Sequence, residues 1–351
     1  MGHRAKWQRQ RQQKRQTTWQ LDGGSYVFLR WQQPRVSRAC TPGSCHCRAR
    51  TMIPPNRTLL YGRNNIVLAS MTGGFADMAY LDPPYCTGKS FGAFDDRWEW
   101  NAEAEAAFEV LPWKAQTILE LAEHLDVPAS ACAYLAHLGV QLIAIRQAVR
   151  PDGSIWIHVD ERLVHWIRLL GHALLRPASV RNVVIWRYRR WTARARRLQC
   201  MHDVLLWFGT DRSTFHVLHG IEKLAESTLK TFGNKKQRAN FASGKRQPGK
   251  EDAVSPGPAL SDVWEIPVAA PSGHERRRGA SYPTQKPEAL LERILSVSSN
   301  EGDMVLDPYC GSGTSLAVAD RMGRRWVGID ASEVAIATCE QRLTVSRSLL
   351  G

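Results

Sequence analysis

Three features of this sequence predict an α/β protein, an open and mostly parallel sheet with helices on both faces. The first is the apolar run Met78-Ala79-Tyr80-Leu81, of the length of a buried strand, which ends at the turn Asp82-Pro83-Pro84-Tyr85. The second is Val305-Leu306-Asp307, a strand that passes through Pro308-Tyr309-Cys310-Gly311-Ser312-Gly313-Thr314 into a helix expected to begin near Ser312. The third is Trp326-Val327-Gly328-Ile329, a further strand ending at Asp330, an acid about 20 positions beyond the glycine turn and suited to a ribose diol. Open α/β sheets bind ligands beyond the carboxyl ends of their strands, so both turns fall where a site is expected.

In chain order, residues 1–51 mix Gln, Arg and Trp without periodicity and read as a disordered tail or a mis-started extension, with Met52 a plausible start. A basic arm gripping phosphates is the other reading. Cys40, Cys45, Cys47 and His46 lack a second ligand pair at finger spacing, so no zinc site is expected. Leu59 to Leu68 reads as a turn and short strand around Tyr61-Gly62-Arg63-Asn64. Cys86-Thr87-Gly88-Lys89-Ser90-Phe91 reads as a flexible polar loop that closes over the site, with Lys89 either meeting a phosphate or merely on the surface.

Ala102 to Val110 and Lys114 to Leu125 are helical by composition, and Ser130 to Val149 sets Tyr134, Leu138, Leu142, Ile145 and Val149 on one face, as a helix packed on the sheet requires. Pro151-Asp152-Gly153 turns into the strand Ser154 to Val159, whose lone His158 reads as structural in the absence of a metal-spaced partner. A helix over Glu161 to Leu175 and strands over Asn182 to Tyr188 and Asp203 to Phe208 follow. Between those strands Arg187, Arg189, Arg190, Arg194, Arg196 and Arg197 crowd around Tyr188 and Trp191, a surface for phosphates or else a solvated loop. From Thr210 to Ala280 the texture turns to Gly, Pro, Ser, Lys and Arg, with a basic loop at Gly273 to Gly279. Helices over Pro287 to Ser299 and Ser332 to Arg347, the latter with Asp330 or Ser332 as cap, complete the pattern.

The formal charge is +14, but residues 1–51 hold eleven Lys or Arg against Asp22 alone, so the body is only modestly basic. That suits a polyanionic partner without demanding one. A hydrophobic fraction of 43% is ample for a core. With no run of eighteen apolar residues and no basic-then-apolar leader, neither a membrane span nor secretion is expected. Eight scattered cysteines fit a reducing cytosol.

The tetrad has a chemistry of its own. Consecutive prolines fix φ and remove two donors, leaving carbonyls without an internal claim. A carboxylate and a proline carbonyl are two acceptors and an exocyclic amine is two donors, so the turn can hold an amino group while Tyr85 offers a face to an unstacked base. The plainer reading, a proline turn at a strand end with a core tyrosine, stays open for the tetrad alone, as an ordinary loop does for Gly311-Ser312-Gly313.

Together the two stretches resemble the amino-methyltransferases of DNA, in the permuted class where the target-base motif precedes the cofactor motif. The resemblance runs from about Leu59 to Arg347 and takes in Phe94-Asp95-Asp96-Arg97-Trp98, His202 to Leu206 and Tyr282-Pro283-Thr284-Gln285-Lys286-Pro287; Tyr309, where phenylalanine is usual, and Cys310 depart from it. It implies a Rossmann-like S-adenosylmethionine-dependent fold with a target-base half at residues 52–208, a partly disordered target-recognition insert at 209–280 and a cofactor half at 281–351. Asp82, Pro83, Pro84 and Tyr85 would be catalytic. Asp307, Tyr309, Gly311, Ser312, Gly313, Thr314, Asp330 and Lys286 would hold S-adenosylmethionine, and Lys89 with the arginine run would meet double-stranded DNA. No metal is implied. Asp at the first tetrad position leans to the 6-amino group of adenine, with the 4-amino group of cytosine as the alternative and a non-catalytic DNA-binding relative more distant. Carbon-5 methylation of cytosine is excluded, since no Pro-Cys pair is present to supply its nucleophile. A cytoplasmic enzyme of a bacterium or phage, monomeric or homodimeric and with a cognate restriction enzyme as a possible companion, completes the expectation.

Overall fold

The computed structural model describes residues 53–189, 196, 198–233, 255–269 and 285–348, together with strands at 17–21, 24–30, 237–240 and 245–248. Its first half runs β1 (Thr17–Leu21), β2 (Gly24–Arg30), β3 (Thr58–Tyr61), α1 (Asn64–Leu68), β4 (Ala76–Leu81), α2 (Ala102–Glu109), α3 (Trp113–His124), α4 (Ala129–Ala148), β5 (Val149–Val159) and α5 (Val164–Leu174). The second runs β6 (Ser179–Arg187), β7 (His202–Gly209), α6 (Glu226–Phe232), β8 (Gln237–Asn240), β9 (Lys245–Pro248), β10 (Val263–Glu265), α7 (Glu288–Ser298), β11 (Met304–Asp307), α8 (Thr314–Arg321), β12 (Arg325–Asp330) and α9 (Glu333–Ser348).

One sheet of ten strands, in the order β1-β2-β3-β12-β11-β4-β5-β7-β6-β10, carries the fold. From β2 to β5 all neighbours are parallel, and the antiparallel pairs are β1 with β2 and β7 with both β5 and β6. Alternate side chains of each strand feed two cores, one per face. Ala79, Leu81, Ile155 and Ile157 pack against Leu135, Leu138, Leu142 and Ile145 of α4 and Leu170 of α5. Met78, Tyr80, Trp156 and Val305 pack on the other side against Leu290 and Ile294 of α7 and Leu316 of α8. Helices thus cover both faces, and the Rossmann-like reading of the sequence holds.

Several local expectations are corrected. Two strands lie within the stretch read as a disordered tail, and β2 pairs in parallel with β3, which buries an edge; the Cys40, Cys45 and Cys47 cluster lies outside the described residues. Asn64–Leu68 is a helix rather than a turn, because the strand ends at Tyr61 and Gly62, at φ 147°, redirects the chain. The helix after the glycine turn begins at Thr314 rather than Ser312, Gly313 being its left-handed cap at φ 72°. The strand begins at Val149 and runs through Pro151-Asp152-Gly153, with a register shift between Ala76 and Met78 absorbing the irregularity. The insert at 209–280 contributes β10 to the main sheet beside β6 and a separate ribbon, β8 with β9; its basic loop at 273–279 lies outside the described residues.

Helix α4 is buried on more than the one face expected, because α1, α2, α3 and α5 all pack on it. By length and composition alone it could cross a membrane; most of it is buried inside this protein.

Candidate active site

The strand order sets the site. β4 and β11 are parallel neighbours in register, Val305 beside Met78 and Leu306 beside Ala79, so Asp82 and Asp307 emerge side by side at one edge of the sheet. β12 and β3 end at the same edge with Asp330 and Tyr61. The chain leads from β4 to β5 on one side and from β11 to β12 on the other, and the reversal between them is the crevice where such sheets bind ligands. A cavity of about 890 Å3 opens there, and Asp82, Pro83, Pro84, Tyr85, Lys286, Asp307, Tyr309, Gly311, Ser312, Thr314 and Asp330 all line it. Gly313 stands behind the wall; a Cβ there would collide with the Cys339 sulfur, so close helix packing demands glycine.

Three carboxylates gather around the glycine turn. Asp307 is buried, accepts from the Tyr309 amide at 3.0 Å and from the Ser315 hydroxyl, and burial pushes it up to about 7 against those hydrogen bonds, helped by the charges of Asp82 and Asp330. Asp330 accepts from the Gly311 amide at 2.9 Å and the Ser332 amide at 2.8 Å, yet burial raises it as well. Asp82 is held differently. Lys286 Nζ lies 2.8 Å from Oδ1 and 2.6 Å from Oδ2, and the Tyr85 hydroxyl donates to Oδ1 at 2.8 Å. Burial and the Asp82 charge push the Tyr85 hydroxyl well above the usual range, so it stays a donor. Lys286, read from the sequence as a cofactor ligand, therefore engages the tetrad, with its ammonium also 5.1 Å from the Tyr85 ring centroid.

His158 is hydrogen-bonded at both ring nitrogens, as a structural residue would be. It is buried between the Tyr80 hydroxyl, 2.9 Å from Nδ1, and Asp203, 3.1 Å from Nε2, and Asp203 also accepts from Tyr188 at 2.9 Å. Burial would raise Asp203, but the hydrogen bond and charge of His158, with the charge of Lys286, hold it below the usual carboxylate range. Among the described residues no group of His, Cys, Asp or Glu is arranged to hold a metal.

The segment after the tetrad is a fastened hairpin rather than a flexible loop. The buried Asp96 carboxylate accepts from the amides of Cys86 (2.9 Å) and Thr87 (2.7 Å), the Thr87 hydroxyl (2.8 Å) and Trp98 Nε1 (3.0 Å). At its far end the Ala93 carbonyl accepts from the Ser332 hydroxyl at 2.6 Å, so the hairpin spans from the tetrad to the acid-bearing end of β12. Lys89 is exposed and outside the cavity lining. Arg187 and Arg189 are exposed at the end of β6, with Arg187 3.4 Å from Glu265, and Arg196 is exposed; Arg190, Arg194 and Arg197 lie outside the described residues.

Other lining residues escaped the sequence reading. Tyr134, His137 and Gln141 turn one side of α4 to the cavity, and Gln141 accepts from the Tyr309 hydroxyl. Their i, i+3, i+7 spacing was a visible signal, masked by the apolar residues that interleave with them. Asn64 donates to the Pro308 carbonyl at 3.1 Å, while its Oδ1 and the Tyr134 hydroxyl are buried without a hydrogen-bond partner among the described residues. Phe91 and Phe94, stacked 5.0 Å apart, and the Arg63–Glu103 ion pair complete the walls.

Residues 76–341 match the model of a family described as DNA methylase. Over 291 residues, 83% of either chain, the sequence is 26% identical to DNA adenine methyltransferase YhdJ of Escherichia coli. Over 268 residues, 76% of this chain and 68% of the relative, it is 25% identical to the Type II methyltransferase M.HpaI of Haemophilus parainfluenzae. Among solved structures it is similar to the M1.HpyAVI-SAM complex, with a TM-score of 0.46 and 18% identity over 81% of this chain and 98% of that one. It is also similar to the cytosine-N4-specific PvuII DNA methyltransferase, with a TM-score of 0.48 and 14% identity over 86% and 94%.

Proposed function

The chain belongs to the DNA methylase family, enzymes that methylate exocyclic amines of DNA bases with S-adenosylmethionine as donor, and from that premise we propose that it methylates the 6-amino group of adenine. The observation that carries the reading is the meeting of two turns, Asp82 to Tyr85 beyond β4 and Tyr309 to Thr314 beyond β11, in one cavity. Adenine is favoured by Asp at the first tetrad position, where the resemblance associates Ser or Thr with cytosine, and by the similarity to the adenine methyltransferase of E. coli.

The lining fits the donor. S-adenosylmethionine supplies an electrophilic methyl group on a positively charged sulfur. Asp307 and Asp330, both raised by burial, lower their free energy when a cation enters among them, and the unpartnered Asn64 Oδ1 and Tyr134 hydroxyl offer acceptor and donor positions to a polar ligand. Asp330 would take the ribose hydroxyls, and the backbone at Gly311 and Ser312 the amino-acid end.

An amine conjugated to a base is a poor nucleophile because its lone pair is delocalised. Asp82 and the Pro83 carbonyl, each accepting one amine hydrogen, favour the tetrahedral nitrogen whose lone pair is localised. They then stabilise the positive charge that grows on it, so the site is complementary to the transition state rather than to the ground state. Tyr85 stacks on the extruded base. Lys89 and Arg187, Arg189, Arg190, Arg194, Arg196 and Arg197 would position double-stranded DNA through its phosphates, and the resemblance to M.HpaI suggests a companion restriction enzyme.

The test is transfer of labelled methyl groups to DNA followed by nucleoside analysis. N6-methyladenine is expected; N4-methylcytosine would move the assignment to cytosine. Asp82→Ala should abolish transfer while leaving DNA binding nearly intact.

A further inference from the structure

We propose that Lys286 is a positioning residue for Asp82, fixing the carboxylate so that one acceptor direction, on Oδ2, is left for the target amine; this rests on the functional reading above. An ionised carboxylate offers about four lone-pair directions. On Oδ1 two are taken, by the Tyr85 hydroxyl at 2.8 Å and by Lys286 Nζ at 2.8 Å. On Oδ2 one is taken, by Lys286 at 2.6 Å. Among the described residues nothing else reaches Asp82, so the remaining direction belongs to Oδ2. The second amine hydrogen then falls to the neighbouring Pro83 carbonyl.

The ammonium is well placed to impose this geometry. Its side chain is only 10% exposed and that of Asp82 19%, so neither charge can swing into bulk water without uncovering the other. Lys286 sits immediately before Pro287, the first cap of α7, and that helix is anchored on one side by buried Leu290, Leu291 and Ile294 and on the other by the Glu288–Arg321 pair at 2.8 Å. The cation is therefore held by the cofactor-side helix while the carboxylate belongs to the target-side strand, and the contact ties the two halves together at the reacting atom. Lys286, Asp82 and Tyr85 each touch the other two, the ammonium lying over the Tyr85 ring. Losing Lys286 would leave the carboxylate held by the Tyr85 hydroxyl alone and free Oδ2 to turn away from the amine.

The experiment measures single-turnover methyl transfer to DNA, with separate titrations of S-adenosylmethionine and DNA, for the wild type, Lys286→Met and Lys286→Arg. A positioning role predicts that Lys286→Met slows transfer roughly 10- to 100-fold while both dissociation constants stay within about threefold, because misplacement of a catalytic group costs rate rather than binding. Lys286→Arg, which keeps a cation and paired donors, should recover much of the loss. Should Lys286→Met fail to fold, Lys286→Gln, with a donor but no charge, is measured in its place. Wild-type transfer in Lys286→Met, a loss confined to S-adenosylmethionine affinity, or an arginine variant no faster than the methionine one would overturn the proposal. Absence of transfer by the wild type would instead overturn the functional reading itself, so the two failures are distinguishable.

Discussion

Asp307 shows how a single side chain carries a pH dependence. Its folded value of about 7 lies above the unfolded value of about 3.9, so its contribution to stability is full below about pH 4 and is lost as pH rises through about 7. Asp307→Asn, which cannot ionise, should therefore gain stability relative to the wild type between pH 5 and pH 8. Urea denaturation at the two pH values measures it, and an unchanged difference would mean that Asp307 is ionised throughout. Tyr85 yields a second prediction. Stacking alone would make Tyr85→Phe mild, but the hydroxyl donates to Asp82 Oδ1, so its removal should slow single-turnover transfer about tenfold, a loss of one charge-assisted hydrogen bond. The tetrad, Asp307 and Asp330 were readable from sequence because strand ends and glycine turns are local. The partner of Lys286 was not, since 204 positions separate it from Asp82.

The hairpin that follows the tetrad illustrates the same limit at the level of elements. From sequence, Cys86 to Phe91 is polar and glycine-bearing and reads as mobile. One buried carboxylate ten residues on reverses that by satisfying four donors. Asp96→Ala strands those donors and should cost about 3 kcal/mol of stability, with faster amide exchange at Cys86 and Thr87; exchange rates equal to the wild type would show the hairpin to be held otherwise. The long strands and amphipathic helices were legible to within a few residues, because burial imprints its period on them. Helix α1 was not: it has five residues, and Arg63 before it makes no side-chain cap, so no start signal was present.

Across the whole molecule, the sheet explains why the basic leading stretch is more than charge. With β2 paired to β3, a chain starting at Met52 would expose the outer hydrogen-bonding row of β3. It keeps every lining residue of the cavity, so methyl transfer should persist, with a shallower salt dependence of DNA binding and concentration-dependent self-association. Sedimentation of the shortened and full chains at matched concentrations checks the last point; a monodisperse shortened chain would mean that the edge needs no cover. Overall architecture was the most legible level, since the order of apolar runs and helical patterns constrains an α/β sheet strongly, whereas nothing local announced the pairing of β2.

The adjacency of β4 and β11 also fixes when the enzyme comes into being. Their paired residues lie 227 positions apart, so on a ribosome adding 5–20 residues per second the first strand waits roughly 10 to 45 seconds for its neighbour to emerge. For most of that interval the carboxylate of Asp82 has no ammonium, and through all of it the flank of β4 that β11 will cover stands open. A message cut short before β11 cannot make a weaker enzyme; it makes none, and a nascent chain cannot mark DNA before β11 has emerged.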